Sequence, residues 1–274
     1  MMAEKHLFSG LTDQESLLQI QPAFATRDRW EALALKEGLF YEVLELSAPP
    51  ALNDAELYDA CKDWYLADGR VTSVHGAFIN IDPGSGDKKM RELSRERCAE
   101  SCRLAMALGA GNVVFHSSCF PFLRGGYLDS WAGSCAGFYD ELADAFPLNI
   151  FIENSPDVDP EPLRELMKRV YSRRIGVCLD IGHAGYSRSP LEEWFGELHE
   201  WIGYLHLSDN DGRFDDHLPL GQGTVDWELA DRLWRELGVP TPMTIETKNV
   251  QAAAESVAFL KERRLFGTDG GDHE

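Results

Sequence analysis

The sequence predicts an α/β fold, a single (β/α)8 barrel, on two observations. Apolar runs of strand length recur near residues 6, 42, 73, 114, 150, 177, 204 and 244, with a helical pattern between most neighbours. That alternation winds a parallel sheet. The second observation is the polarity of the strand ends: His75, His116, Glu153, Asp180, His206 and Glu246 each stand at or just before the C-terminal end of a candidate strand. In a parallel barrel all those ends face one side, where active sites lie. No linker or composition change interrupts residues 1–266, which read as one domain, with residues 267–274 a disordered tail. The competing fold, a doubly wound open sheet, lacks its Gly-rich fingerprint after the first strand.

Residues 5–10 offer a short, poor first strand, and the polar segment up to about residue 26 has no clear pattern. Thr26 to Gly38 has the capping and stop signals of a helix. Leu39 to Leu46 alternates like a strand, and Asp54 to Asp68 returns to a helical period with Leu57, Cys61 and Trp64 on one face. Val71 to Ile81 is strand-like and carries His75; Lys88 to Leu108 is a long amphipathic helix. Asn112 to His116 is a strand, residues 117–130 an irregular loop, and Trp131 to Phe146 a helix. Leu148 to Glu153 is a buried strand, and Asp159-Pro-Glu-Pro opens a helix to about Arg173. The strand Ile175–Asp180 follows, then a helix opened by Ser189-Pro190. Tyr204–Leu207 is strand, Asp226–Leu237 helix, Met243–Lys248 the last strand and Gln251–Arg264 the last helix.

The formal charge of −20 argues against a nucleic-acid or anionic-membrane partner, because such surfaces select clustered Lys and Arg. No apolar run reaches membrane-spanning length, and the N-terminus lacks a signal-peptide core. Six cysteines without a CxxC pair suit a reduced, cytoplasmic protein.

The chemistry concentrates between Ile175 and Trp227, where two apolar runs end on Asp180 and His206 and short loops add His183, Asp215 and His217. Five of the eight histidines and four carboxylates thus belong to one predicted rim. Polarity of that density at strand tips calls for a cation to satisfy it. Mixed nitrogen and oxygen donors suit Zn, Mn, Co or Fe.

These residues resemble the xylose isomerase-like TIM-barrel superfamily, which includes endonuclease IV and the sugar-phosphate isomerases and epimerases. Endonuclease IV-like proteins hold three metal ions with nine ligands, and the matching positions here are His75, His116, Glu153, Asp180, His183, His206, Asp215, His217 and Glu246. The isomerase and epimerase group holds one ion with a smaller set, matched by Glu153, Asp180, His206 and Glu246. The resemblance therefore implies one to three divalent ions per chain. It also implies proton transfer on a small polyhydroxylated or carbonyl substrate, through a metal-stabilised enediolate, with Glu153 and Glu246 as the acid/base pair. The alternative is a zinc-dependent phosphodiesterase that cleaves abasic DNA. Phe8-Ser-Gly-Leu-Thr-Asp departs from the nuclease's first loop, which grips DNA, and no basic stripe borders the rim.

Several assignments stay open at this level. Phe78 and Ile79 resemble the apolar pair that wedges a duplex, or pack as an ordinary loop. Arg124 is either an anion-binding lid residue or part of a mobile aromatic loop. Gly221-Gln-Gly223 either cradles a phosphate or is a tight turn. His183 and Lys248 are candidate substrate contacts, Lys248 with a surface position as its alternative.

Overall fold

The computed structural model describes residues 18–268. Eight strands close into a barrel in chain order, every neighbouring pair parallel. They are β1 (Leu18–Ile20), β2 (Phe40–Val43), β3 (Val71–His75), β4 (Asn112–His116), β5 (Asn149–Glu153), β6 (Ile175–Asp180), β7 (Ile202–Leu207) and β8 (Met243–Ile245). Around them lie α1 (Arg27–Glu37), α2 (Pro49–Leu52), α3 (Ala55–Asp68), α4 (Lys88–Leu108) and α5 (Gly126–Ala145). The outer layer continues with α6 (Glu161–Met167), α7 (Ile181–Gly185), α8 (Leu191–Leu198), α9 (Trp227–Leu237) and α10 (Val250–Arg263). Among the described residues no helix is long and apolar enough to cross a membrane. All six cysteines are buried thiols.

The strand expected at residues 5–10 lies outside the described residues, and the strand that opens the barrel is Leu18–Ile20. It pairs with β2 on one side and closes the sheet against β8 on the other. Its sequence hid it. Leu-Gln-Ile is only three residues long, and Gln19 points into the barrel, where its amide donates to the Tyr204 hydroxyl at 2.9 Å and its carbonyl accepts from Thr72 at 2.7 Å. Other differences concern element ends. The second strand stops at Val43 and the third at His75, both short of expectation. Helix α5 starts at Gly126, inside the segment expected as loop, and α6 ends at Met167. Of the expected tail, Thr268 is tied by its hydroxyl to the Leu260 and Leu265 carbonyls; residues 269–274 lie outside the described set.

Helix starts follow local chemistry. Asp54, Asp87, Asp226 and Asn249 each accept a backbone N–H of the first turn of α3, α4, α9 and α10. The principal core lies between strands and helices and includes Trp30, Leu104, Trp194 and Leu260. A separate small cluster, Val114, Phe151, Cys178 and Tyr204, fills the barrel interior. Because side chains alternate with a period of two, the residue two places further along each of these strands faces the same way. Those residues are His116, Glu153, Asp180 and His206. The apolar plug is therefore the floor of a polar chamber.

Candidate metal centre

The polar residues of the rim form one continuous set, with Glu153 at its centre. Its carboxylate lies 3.4 Å from His75 Nε2, 3.5 Å from His116 Nε2, 3.3 Å from His206 Nδ1 and 3.0 Å from His183 Nδ1. His206 Nδ1 is also 3.4 Å from Glu246. His183 extends the set outward: its Nε2 is 3.3 Å from Asp215, which lies 3.0 Å from His217. Asp180 divides its oxygens between two tasks. Oδ1 accepts the His183 backbone N–H at 2.7 Å and caps α7, while Oδ2 is 3.7 Å from the His183 ring. The structure thus brings together all nine rim residues singled out from the sequence.

It does not bring in the other two candidates. Arg124 is held away by Asp159 at 2.7 Å and Glu161 at 3.3 Å, both beyond β5 in the chain. β8 ends at Ile245, so strand alternation does not aim Lys248, which is exposed. Gly221-Gln-Gly223 is a turn already engaged in holding its own loop. The buried Asp209 carboxylate accepts from the Asn210, Gly221 and Val225 N–H groups and from the Trp227 indole, all at 2.9–3.2 Å. A side chain at position 223 would meet the Asn210 carbonyl at 2.2 Å, so only glycine fits. Phe78 lies against the His75 and His116 rings at 5.1 and 5.3 Å, while Ile79 beside it is exposed.

Four residues escaped the sequence reading. Glu42, fully buried on β2, touches His206 at 3.2 Å. Gln21 donates its amide to Glu42 at 2.9 Å and also to Glu246. Asn154 clasps the end of β6, accepting from the Asp180 N–H at 2.7 Å and donating to its carbonyl at 3.0 Å. Asp209 organises the loop that carries Asp215 and His217. Only Glu42 carried a signal, a carboxylate in the apolar run Phe40-Tyr-Glu-Val. A strand expected to reach Leu46 placed it mid-strand, where it escaped the strand-end criterion.

Electrostatically the set is frustrated without a cation. Burial opposes charge on His183, yet Asp180, Asp215 and Glu153 override it and raise the imidazole well above its ordinary value. Burial likewise works against His217, but its bond to Asp215 lifts it to about 9. His116 goes the other way, pushed by burial down to about 3. Four buried atoms, Glu153 Oε2, Asp180 Oδ2, His183 Nδ1 and His206 Nδ1, have no hydrogen-bond partner. Donor atoms of His75, His116 and Glu153 lie within 4.8 Å of one another, as do those of Glu153, Asp180 and His206. Unsatisfied polar atoms crowded together in a buried chamber cost free energy that a divalent ion would recover, displacing protons from the imidazoles. The donors fit Zn, Mn, Co or Fe.

A closed parallel barrel that gathers imidazoles and carboxylates at its C-terminal rim defines the class of protein. The chain belongs to the xylose isomerase-like TIM-barrel family, whose model matches residues 40–263. It is 31% identical over 203 residues to the uncharacterized protein MJ1311 of Methanocaldococcus jannaschii, covering 69% of this chain and 68% of that one. Among solved structures it is similar to the TTHB071 protein from Thermus thermophilus, soaked with ZnCl2. There the TM-score is 0.69 at 27% identity, over 91% of this chain and 98% of that one. The fold also matches a D-allulose 3-epimerase from Methylomonas sp. in complex with D-allulose, with a TM-score of 0.68 at 15% identity, over 92% and 99% of the two chains. A D-tagatose 3-epimerase-like protein has a TM-score of 0.64 at 23% identity, over 91% and 88%.

Proposed function

We propose that this protein is a divalent-metal-dependent isomerase or epimerase of a small sugar or sugar phosphate. One observation carries the reading: Glu153, the last residue of β5, and Glu246, the residue after β8, approach the same nitrogen of His206 at 3.3 and 3.4 Å. Two carboxylates facing one buried chamber are what proton transfer at a carbon beside a carbonyl needs, one to take the proton and one to return it. Glu153, Asp180, His206 and Glu246 would hold the ion. When bound, it stabilises negative charge developing on the substrate oxygens. Glu153 and Glu246 are then the acid/base pair. Asp180 and His206 only hold the ion, and His183 donates a hydrogen bond to a substrate oxygen. The buried floor of Val114, Phe151, Cys178 and Tyr204 excludes water from below.

The test is solvent exchange. Protein loaded with Mn²⁺ or Co²⁺ and incubated in D₂O with a panel of ketoses and their phosphates should place deuterium at the carbon next to the carbonyl. No exchange in any member, with the metal bound, would remove this reading.

A second reading has an observation in its favour. His75 and His116 both approach Glu153, and His183, Asp215 and His217 form a further chain, so the donors suffice for three ions. Three ions per chain suit phosphoester hydrolysis of the endonuclease IV kind; one suits the isomerase. Metal content measured after equilibrium dialysis separates the two.

A further inference from the structure

We propose that Glu42 is a positioning residue that holds the His206 proton on Nε2 and so leaves Nδ1 as the free donor toward the ion. The inference rests on the metal-dependent reading above and adds a residue to it.

The direction of each hydrogen bond follows from the network beneath the chamber. Thr72 donates its hydroxyl to the Gln19 carbonyl at 2.7 Å, which fixes the Gln19 amide. That amide donates to the Tyr204 oxygen at 2.9 Å, so the Tyr204 hydroxyl proton is left for Glu42 Oε2, 2.6 Å away. Thr244 donates to the same oxygen at 3.0 Å. Gln21 donates its amide to Glu42 Oε1 at 2.9 Å. The Glu42 carboxylate is therefore surrounded by donors, and its contact with His206 Nε2 at 3.2 Å is satisfied only if that nitrogen carries the proton. The neutral ring then exposes a lone pair at Nδ1, the buried, unpartnered atom that faces Glu153 and Glu246. A carboxylate behind an imidazole that fixes its tautomer is a general way to orient a metal ligand. Glu42 has a second route to the site, since the Gln21 amide that donates to it also donates to Glu246. With both its oxygens directed at donors, it serves as a support for the ligands.

Two substitutions separate this role from simple packing. Glu42→Met keeps the length and removes the acceptor. Glu42→Gln removes the charge but keeps a carbonyl in place of the oxygen that faces Tyr204, Thr244 and His206. Co²⁺ affinity, read from its visible absorption, should weaken about 10–100-fold in Glu42→Met and be largely restored in Glu42→Gln. Long-range ¹H–¹⁵N spectra of the zinc-loaded wild type should put the His206 proton on Nε2, and those of Glu42→Met should show an Nδ1 proton. A wild-type spectrum with the proton on Nδ1 overturns the proposal without any variant being needed, should Glu42→Met fail to fold. So does Glu42→Met that binds Co²⁺ as the wild type does. Wild type that takes up neither ion removes the proposed function, and the assignment of Glu42 with it.

Discussion

Glu153 and Glu246 meet at one nitrogen: His206 Nδ1 lies 3.3 Å from the first and 3.4 Å from the second. One residue comes from β5 and the other follows β8, and the two carboxylates differ in their surroundings. Glu153 is crowded by four imidazoles, whereas Glu246 receives the amide of Gln21. Glu246→Gln keeps the shape and one oxygen ligand but removes the basic carboxylate. Turnover should fall about 10²–10⁴-fold, the usual contribution of a positioned acid/base, while most of the metal affinity remains. Steady-state kinetics beside a Co²⁺ titration check both halves, and wild-type turnover in a metal-loaded variant would leave Glu246 as a ligand only.

Metal addition should stabilise the fold. An ion that binds only the native state adds about 2.7 kcal/mol at a free concentration of roughly a hundred times its dissociation constant. For a chain of this size that raises the melting temperature by several degrees, at about 2–4 °C per kcal/mol. Zn²⁺ or Mn²⁺ should produce the rise, a chelator should reverse it, and Asp180→Asn, which keeps an oxygen to cap α7, should lose most of it. Scanning calorimetry reads all three.

Asp157 gives a pH dependence. It is buried near the chamber, with Ser117 donating to Oδ2 at 2.5 Å and Oδ1 lacking a hydrogen-bond partner. Burial raises its carboxyl from 3.8 to about 7. Its folded value is above its unfolded one, so its contribution is complete below about 3.8 and disappears as pH rises through about 7. Asp157→Asn cannot ionise. In chelator, the stability of the variant relative to wild type should therefore increase between about pH 5 and pH 8, by on the order of 2 kcal/mol. Urea melts at the two pH values measure it, and a flat difference would show that Asp157 ionises normally.

Asp209 should be one of the costlier loop residues to change. Its carboxylate satisfies three backbone N–H groups and the Trp227 indole in a buried turn. Asp209→Asn replaces one acceptor with a donor facing donors, which should cost roughly 2–4 kcal/mol. It should also weaken Asp215 and His217 as ligands, because the turn sets their position. A variant with wild-type stability and metal content contradicts this.

Cleavage of abasic DNA should be absent. The net charge is −20, and Arg124 is already paired with Asp159 and Glu161. An incision assay with metal at physiological salt checks it; efficient cutting would favour the three-ion hydrolase.

The alternation of strands and helices, the order of the barrel from β2 onward and the nine rim residues were legible in the residues alone. These are local facts. A strand carries its own two-residue period, and a carboxylate or imidazole at its apolar tip marks the end that faces the chamber. What supports them became visible once the barrel closed. Gln19 makes β1 unreadable as a strand until Tyr204, 185 positions away, is seen to receive its amide. Glu42 looks like a misplaced charge until Thr244, 202 positions away, donates to it. Asp209 is one acid among several in its loop, and Arg124 one rim cation, until their partners arrive. Periodicity records which face a side chain occupies and is silent about which other face it will meet. Closing β8 against β1 is what brings those distant groups within hydrogen-bonding reach.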